Sequence, residues 1–194
     1  MLGPQGSGKG TQAQRIKAMY GIPHIATGDM IREMKELPTE LGRELKVVYD
    51  RGDLVSDELM IRLIRDRLSR GDTLGGFVLD GFPRTMPQAE SLDALLHALD
   101  RGLDVVFEFQ VPDRKVLLQR LLGRAAEERR SDDTPEAIER RLELYDRETA
   151  PLVEYYRSHQ ANVVGVHADR TVDEVFREIE QSLEEVQRHR KVEA

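Results

Sequence analysis

Near the start of the chain, Gly3-Pro4-Gln5-Gly6-Ser7-Gly8-Lys9-Gly10-Thr11 joins a strand-like stub to a helix-like segment. Glycines at positions 3, 6 and 8 let the backbone wrap an anion with its N–H groups turned inward, and the helix that follows adds its positive end. Lys9 is then placed to reach the β- and γ-phosphates of a nucleotide. The alternative, a flexible glycine-rich tail, leaves the strand, loop and helix context unexplained. The general phosphate-loop pattern has Ser or Thr directly after the lysine, with its hydroxyl on magnesium. Here Gly10 holds that place and Thr11 comes one residue later, which weakens the case for direct hydroxyl coordination.

Two further segments carry chemistry. Phe77-Val78-Leu79-Asp80-Gly81-Phe82-Pro83-Arg84-Thr85-Met86-Pro87-Gln88 is an apolar run ending in aspartate, as expected of a carboxylate that organises magnesium beside a phosphate loop, directly or through water. Pro83 presents Arg84 from a restrained backbone; the competing view makes Asp80 a helix cap and Arg84 a surface charge. Thr27-Gly28-Asp29-Met30-Ile31-Arg32 follows an apolar run and opens a helix, near the sheet edge where open parallel sheets bind ligands. Taken alone, Thr27 or Asp29 as a plain N-cap with Arg32 as a solvated charge explains this segment better.

These residues need a scaffold, and five short apolar runs supply one. They are Met1-Leu2, 23–25, 77–79, 105–111 and 162–166, each followed by a helix-like stretch, the pattern of a parallel sheet with helices on both faces. Residues 11–20, 29–36, 40–50, 56–70, 87–100, 113–123, 135–159 and 171–189 read as helical. Thr134-Pro135 is a helix start, and 3.6-residue spacing from Ile138 to Tyr156 across Pro151 predicts one long helix kinked at that proline. The polar segment from Arg188 to Ala194 is expected to fray. A central strand normally has about five residues, and only Met1 and Leu2 precede the loop, so the first strand is expected to be truncated.

Taken together, Gly-Pro-x-Gly-Ser-Gly-Lys-Gly-Thr, Thr-Gly-Asp-Met-x-Arg and Asp-Gly-Phe-Pro-Arg-Thr-x-x-Gln resemble the signature segments of adenylate kinases, in order and over Gly3 to about Phe176. The resemblance implies a P-loop three-layer α/β/α fold with a five-stranded parallel sheet. It implies a single kinase domain over 1–194, with its core at 1–27, 58–124 and 142–194, a helical nucleoside-monophosphate-binding insertion at 28–57 and a short lid at 125–141. It also implies reversible transfer of the γ-phosphoryl of MgATP to AMP, giving two ADP. Alternatives are a UMP/CMP kinase, a GTP-dependent AMP kinase, or a nucleotide-binding module without turnover.

By the same resemblance ATP falls to Gly6, Ser7, Gly8, Lys9, Gly10, Thr11, Arg120, Arg124 and Arg170. AMP falls to Thr27, Arg32, Asp53, Val55, Gly81, Arg84, Gln88, Arg130 and Arg141, with Asp53 and Val55 acting through backbone. Lys9, Arg84, Arg120, Arg130 and Arg141 are the implied catalytic set, and Asp80 holds magnesium through water. Gln88 suits an adenine edge because its amide sets a donor beside an acceptor; related UMP/CMP kinases tend to carry Ala near Thr27 and Asn around Gln88. From composition alone, the charge run Glu127 to Asp133 with Arg140 and Arg141 reads as solvated surface, whereas the resemblance makes it the closing half of a lid. Asp132 and Asp133 would then hold its arginines. The lid is too short for a zinc-binding hairpin, and Ala125 to Arg129 lacks the usual glycines and favours helix. Pro38 stands where relatives often have glycine in the insertion. Asp169 and Thr171, before the last helix, serve equally as caps for it.

Composition narrows the rest. The 194 residues hold no cysteine, so disulfides, thiolate metal sites and cysteine nucleophiles are excluded, and no zinc is expected. A net charge of −7, from 29 basic and 36 acidic side chains, speaks against a general nucleic-acid binder. There is no run of about 20 apolar residues and no signal-peptide pattern. The expectation is a cytoplasmic monomer that binds small nucleotides and neither membrane nor nucleic acid.

Overall fold

Strands and helices alternate in the order that the apolar runs predict. A computed structural model describes residues 1–128 and 134–193. Its elements are α1 (Lys9–Tyr20), β1 (His24–Ala26), α2 (Thr27–Lys35), α3 (Glu40–Asp50), α4 (Asp57–Leu68), a 3-10 turn (Gly71–Thr73), β2 (Val78–Asp80), α5 (Met86–Ala98), β3 (Val106–Gln110), α6 (Arg114–Glu128), α7 (Pro135–Leu144), a π turn (Tyr145–Thr149), α8 (Leu152–Ser158), β4 (Val163–His167) and α9 (Val172–Glu193). Threonines begin three of the helices: Thr39, Thr85 and Thr134 accept from the N–H of Gly42, Gln88 and Ala137, and prolines follow the latter two in the first turn.

Of the expected five-stranded parallel sheet, the described residues form two parallel two-stranded ladders. β1 pairs with β2 in the register His24↔Val78 to Ala26↔Asp80, and β3 pairs with β4 from Val106↔Val163 to Gln110↔His167. Met1 and Leu2 lie between them. The Met1 ammonium donates to the Leu79 carbonyl at 2.9 Å. Leu2 donates to Phe107 O and accepts from Phe109 N, each at 2.8 Å, forming one isolated parallel bridge to Glu108. One bridged residue gives contact with both ladders but no ladder of its own.

Residues alternate across β3 with the strand period of two. Phe107 and Phe109 pack with Ile16 of α1 and with Val175 and Ile179 of α9. Val106 faces the other way, with Leu2, Ala89 of α5 and Leu152, Val153 and Tyr156 of α8. A third cluster seats Ile25 and Leu79 against α2, α3, α4 and α5. Helices therefore cover both faces, and the ends of β1 and β2 emerge beside the loop before α1.

Three expectations about helices need correction. The 135–159 helix is distorted ahead of Pro151 rather than at it: Ala150 N donates to Tyr145 O at 2.8 Å, an i to i−5 bond that widens the coil where proline removes a donor and its ring crowds the preceding turn. α6 does not stop at residue 123 but runs to Glu128, as a glycine-free segment favours. α9 continues to Glu193 instead of fraying from residue 188.

Candidate active site

A cavity of about 860 Å³ opens at the carboxyl edge of the strands. Gly6, Ser7, Gly8, Lys9, Gly10 and Thr11 line one side of it. Thr27, Arg32, Asp53, Val55, Gly81, Arg84 and Gln88 line another, with Asp80 between. Arg120, Arg124, Arg141 and Arg170 complete the wall. The site residues expected from the sequence thus meet in one place, with the exception of Arg130, which with Asp132 and Asp133 lies outside the described residues.

The loop before α1 holds Gly6 and Gly8 at φ 81° and 87°, a backbone that turns successive N–H groups to one side. Lys9, the first residue of α1, folds its ammonium back over the loop and donates to the carbonyls of Gly3 at 2.7 Å and Pro4 at 2.8 Å. Burial, with Arg84 and Arg124 nearby, pushes its pKa down to about 8 against the pull of Asp80. Such an ammonium gains most from an arriving anion. Arg120 ties the loop to the segment after β4, donating to Ala168 O at 2.8 Å and Gly6 O at 3.5 Å.

Asp80 ends β2 and His24 opens β1, with His24 Nε2 lying 3.3 Å from Asp80 Oδ2. The Gln14 amide nitrogen lies 3.1 Å from His24 Nδ1. An amide nitrogen only donates, so Nδ1 accepts and the ring proton sits on Nε2, aimed at the carboxylate. Burial disfavours the Asp80 anion, but the His24 hydrogen bond, Lys9 and the chain's ammonium hold its pKa at about 2. Gly10 stands close by: a Cβ there would come within 3.4 Å of Asp80 Oδ2. The result is a permanently anionic hard oxygen beside a phosphate-sized cradle.

Gly81 shows why this turn needs glycine. Its φ is 81°, and a Cβ would fall 2.7 Å from Thr27 Oγ1 and 3.0 Å from the Arg84 guanidinium. Thr27 is therefore no simple cap. The N-cap of α2 is Ala26, and the buried Thr27 hydroxyl donates to Gly81 O at 2.9 Å, tying the ends of β1 and β2 together. Arg84 Nε donates back to Gly81 O at 2.7 Å. Burial lowers the Arg84 pKa, with Tyr49 raising it and Arg141 lowering it further.

Nor is Arg32 a solvated charge, because it bonds Asp29 and donates to the Tyr49 hydroxyl at 2.6 Å. Tyr49, to which the sequence alone assigns no chemistry, is the organiser of this side. Lys35 and Arg141 each sit 5.0 Å from its ring centroid, a cation–π arrangement, and its carbonyl accepts from Arg141 at 3.1 Å. The end of α3 meets α7 only in the folded chain, so a tyrosine there gives no signal in the sequence. Asp53 turns its carboxylate to Arg140 at 2.8 Å, which leaves its backbone on the cavity wall. Gln88 is buried, accepting from Arg84 N and donating to Asp57.

The cavity can thus hold phosphates at the loop and cations, a second anion at Arg32, Arg84 and Arg141, and a planar group near Gln88. A sequence profile described as adenylate kinase matches residues 1–161. The chain is 46% identical over 168 residues to the adenylate kinase of Stenotrophomonas maltophilia (strain K279a), covering 86% of this chain and 89% of that one. It is 48% identical over 160 residues to the adenylate kinase of Cyanothece sp. (strain PCC 7425), 82% of both chains. It is 47% identical over 184 residues to that of Kocuria rhizophila, 95% and 97% of the two chains.

Proposed function

This chain belongs to the adenylate kinase family, a family of nucleoside monophosphate kinases, and from that premise we propose how its residues divide the work. MgATP and AMP are the substrates, and two ADP the products. Gly6 to Thr11, Arg120, Arg124 and Arg170 take ATP. Thr27, Arg32, Arg84, Gln88 and the backbone at Gly81, Asp53 and Val55 take AMP. Lys9, Arg84, Arg120 and Arg141, joined by Arg130, act on the transferring group. The two ladders with Met1–Leu2 between them correspond to a five-stranded core, 28–57 to the acceptor-binding insertion and 125–141 to the lid.

The convergence of Lys9, Asp80 and the Arg32, Arg84, Arg141 set in one cavity carries this reading. An AMP phosphate oxygen attacks the γ-phosphorus of ATP. The bond to the β,γ-bridging oxygen breaks, and its electron pair leaves on ADP. The nucleophile is already anionic, so no residue removes a proton. The protein's contribution is alignment and positive charge, with guanidinium forks meeting the equatorial oxygens where charge spreads. Closure over both nucleotides keeps water from taking the phosphoryl group.

Magnesium fits the chain's donor set, since Asp80 offers a half-buried, anionic oxygen beside the loop. Bound with ATP, the ion neutralises phosphate charge, and Asp80 would hold it through water. No zinc is needed. The chain is read as a monomer acting on small nucleotides in the cytoplasm. No described helix is long and apolar enough to cross a membrane.

The test is a coupled assay of ADP formation with a panel of donors (ATP, GTP) and acceptors (AMP, CMP, UMP). ATP with AMP is expected to be the fastest pair. A faster CMP reaction would reassign the acceptor side, and nucleotide binding without any turnover would overturn the enzyme reading.

A further inference from the structure

Gln88 is 2% exposed, and both ends of its amide are engaged before any base arrives. Its Oε1 accepts from the Arg84 backbone N–H at 2.8 Å, and its Nε2 donates to Asp57 Oδ1 at 2.7 Å. The same carboxylate oxygen accepts the Thr85 hydroxyl at 2.9 Å. Asp57 occupies the first turn of α4, where the helix end favours a carboxylate. Rotating the amide by half a turn would set Oε1 against the carboxylate and Nε2 against the Arg84 N–H. Two buried hydrogen bonds would become two repulsive contacts, because a backbone N–H only donates and a carboxylate only accepts. One orientation is therefore locked from two sides.

We propose that Asp57 is a specificity-determining positioning residue: by fixing the Gln88 amide it makes the acceptor pocket read the edge of a 6-aminopurine and reject the inverted edge of a 6-oxopurine. Each amide atom keeps one unused capacity, a second hydrogen on Nε2 and a second lone pair on Oε1. A 6-amino group beside an accepting ring nitrogen matches that pair. A 6-oxopurine brings a carbonyl oxygen to Oε1 and a ring N–H to Nε2, so both contacts clash. Sites built to hydrogen-bond one edge reject its inverse strongly, since buried polar groups are left unmatched. Without Asp57 the amide is held only by Arg84 N, and turning over becomes easier.

The inference rests on the kinase reading of this cavity, and the experiment separates the two. AMP and IMP, which differ at that edge, are compared at saturating MgATP in the unaltered chain, Asp57→Ala and the near-isosteric Asp57→Asn. Affinities for both nucleotides are also measured by calorimetry without ATP. The AMP over IMP ratio of kcat/KM is expected to fall about tenfold or more in Asp57→Ala. Asp57→Asn should fall by a similar factor, since a carboxamide can face either amide orientation and no longer enforces one, and KM for MgATP should hold in both. The calorimetric ratio is expected to follow. A merely structural role would weaken AMP and IMP together, so an unchanged ratio in folded variants overturns the proposal. If Asp57→Ala does not fold, Asp57→Asn decides alone. Failure of the unaltered chain to phosphorylate AMP would instead refute the kinase reading, and the calorimetric arm would still test the lock.

Discussion

At the scale of single residues, the two cations proposed to bracket the transferring group make different demands. Arg84 is half-buried, its Nε fixed by Gly81 O, so its fork is preorganised rather than recruited. Arg84→Ala should lower turnover about a hundredfold or more in the coupled assay. Arg84→Lys, which keeps the charge and loses the fork, should recover little of it. Lys9 gives a pH signature. Its pKa is held at about 8 by burial, below the ordinary lysine value, so above that pH the unfolded chain binds more protons than the folded one. Stability from this group therefore rises as pH climbs through about 8. Phosphates against the ammonium favour its charged form, and ATP binding at about pH 8.5 should take up a proton, with affinity falling as pH rises further. Calorimetry in two buffers of different ionisation enthalpy reads this directly. Lys9→Met should abolish the uptake.

Between elements, the contact that bears on the proposed acceptor side is the end of α3 against the start of α7. Gly52 sits there at φ 77°, and a Cβ would meet the Ala137 carbonyl oxygen at 2.5 Å, a backbone atom that cannot swing aside. Gly52→Ala combines a disfavoured backbone with a clash, for a cost of about 2–4 kcal/mol. The expected result is a lower urea midpoint and a raised KM for AMP with KM for ATP nearly unchanged; an unaltered KM for AMP would uncouple this junction from the site. The junction also shows the limits of the sequence. Periodicity and turn chemistry place the strands and helices within a few residues, because those signals are local. The phosphate loop and the Asp80 to Gln88 turn are legible for the same reason. Tyr49 under Lys35 and Arg141, the Arg140 pair with Asp53, and the Asp57 lock on Gln88 are not. Each joins residues far apart in the chain, and nothing in their types announces the partner. The distortion of 145–149 lies one turn ahead of the proline that signals it, since proline disturbs the coil that precedes it.

Across the whole molecule, the net charge of −7 and the cavity's cations are complementary statements. Lys9, Arg32, Arg84, Arg120, Arg124, Arg141 and Arg170 line one cleft in an otherwise acidic chain, so anionic substrates are focused there and little else of like charge is held. That cleft keeps its shape only while the two ladders hold one spacing, because the loop and Lys9 hang between them. Leu2 is the hinge of that spacing: it is 2% exposed, bonds β3 on both of its backbone groups, and packs with Ala89, Val106, Leu152, Val153 and Tyr156. Leu2→Ala leaves those bonds and removes the side chain, at about 3 kcal/mol for a buried leucine. For a chain of this size the thermal midpoint should fall by roughly 6–12 °C. Leu74→Ala, at a leucine 80% exposed, is the control and should change stability by less than about 0.5 kcal/mol. If the two variants melted alike, the ladders would be stable independently of each other, and the loop would owe its position to α1 alone.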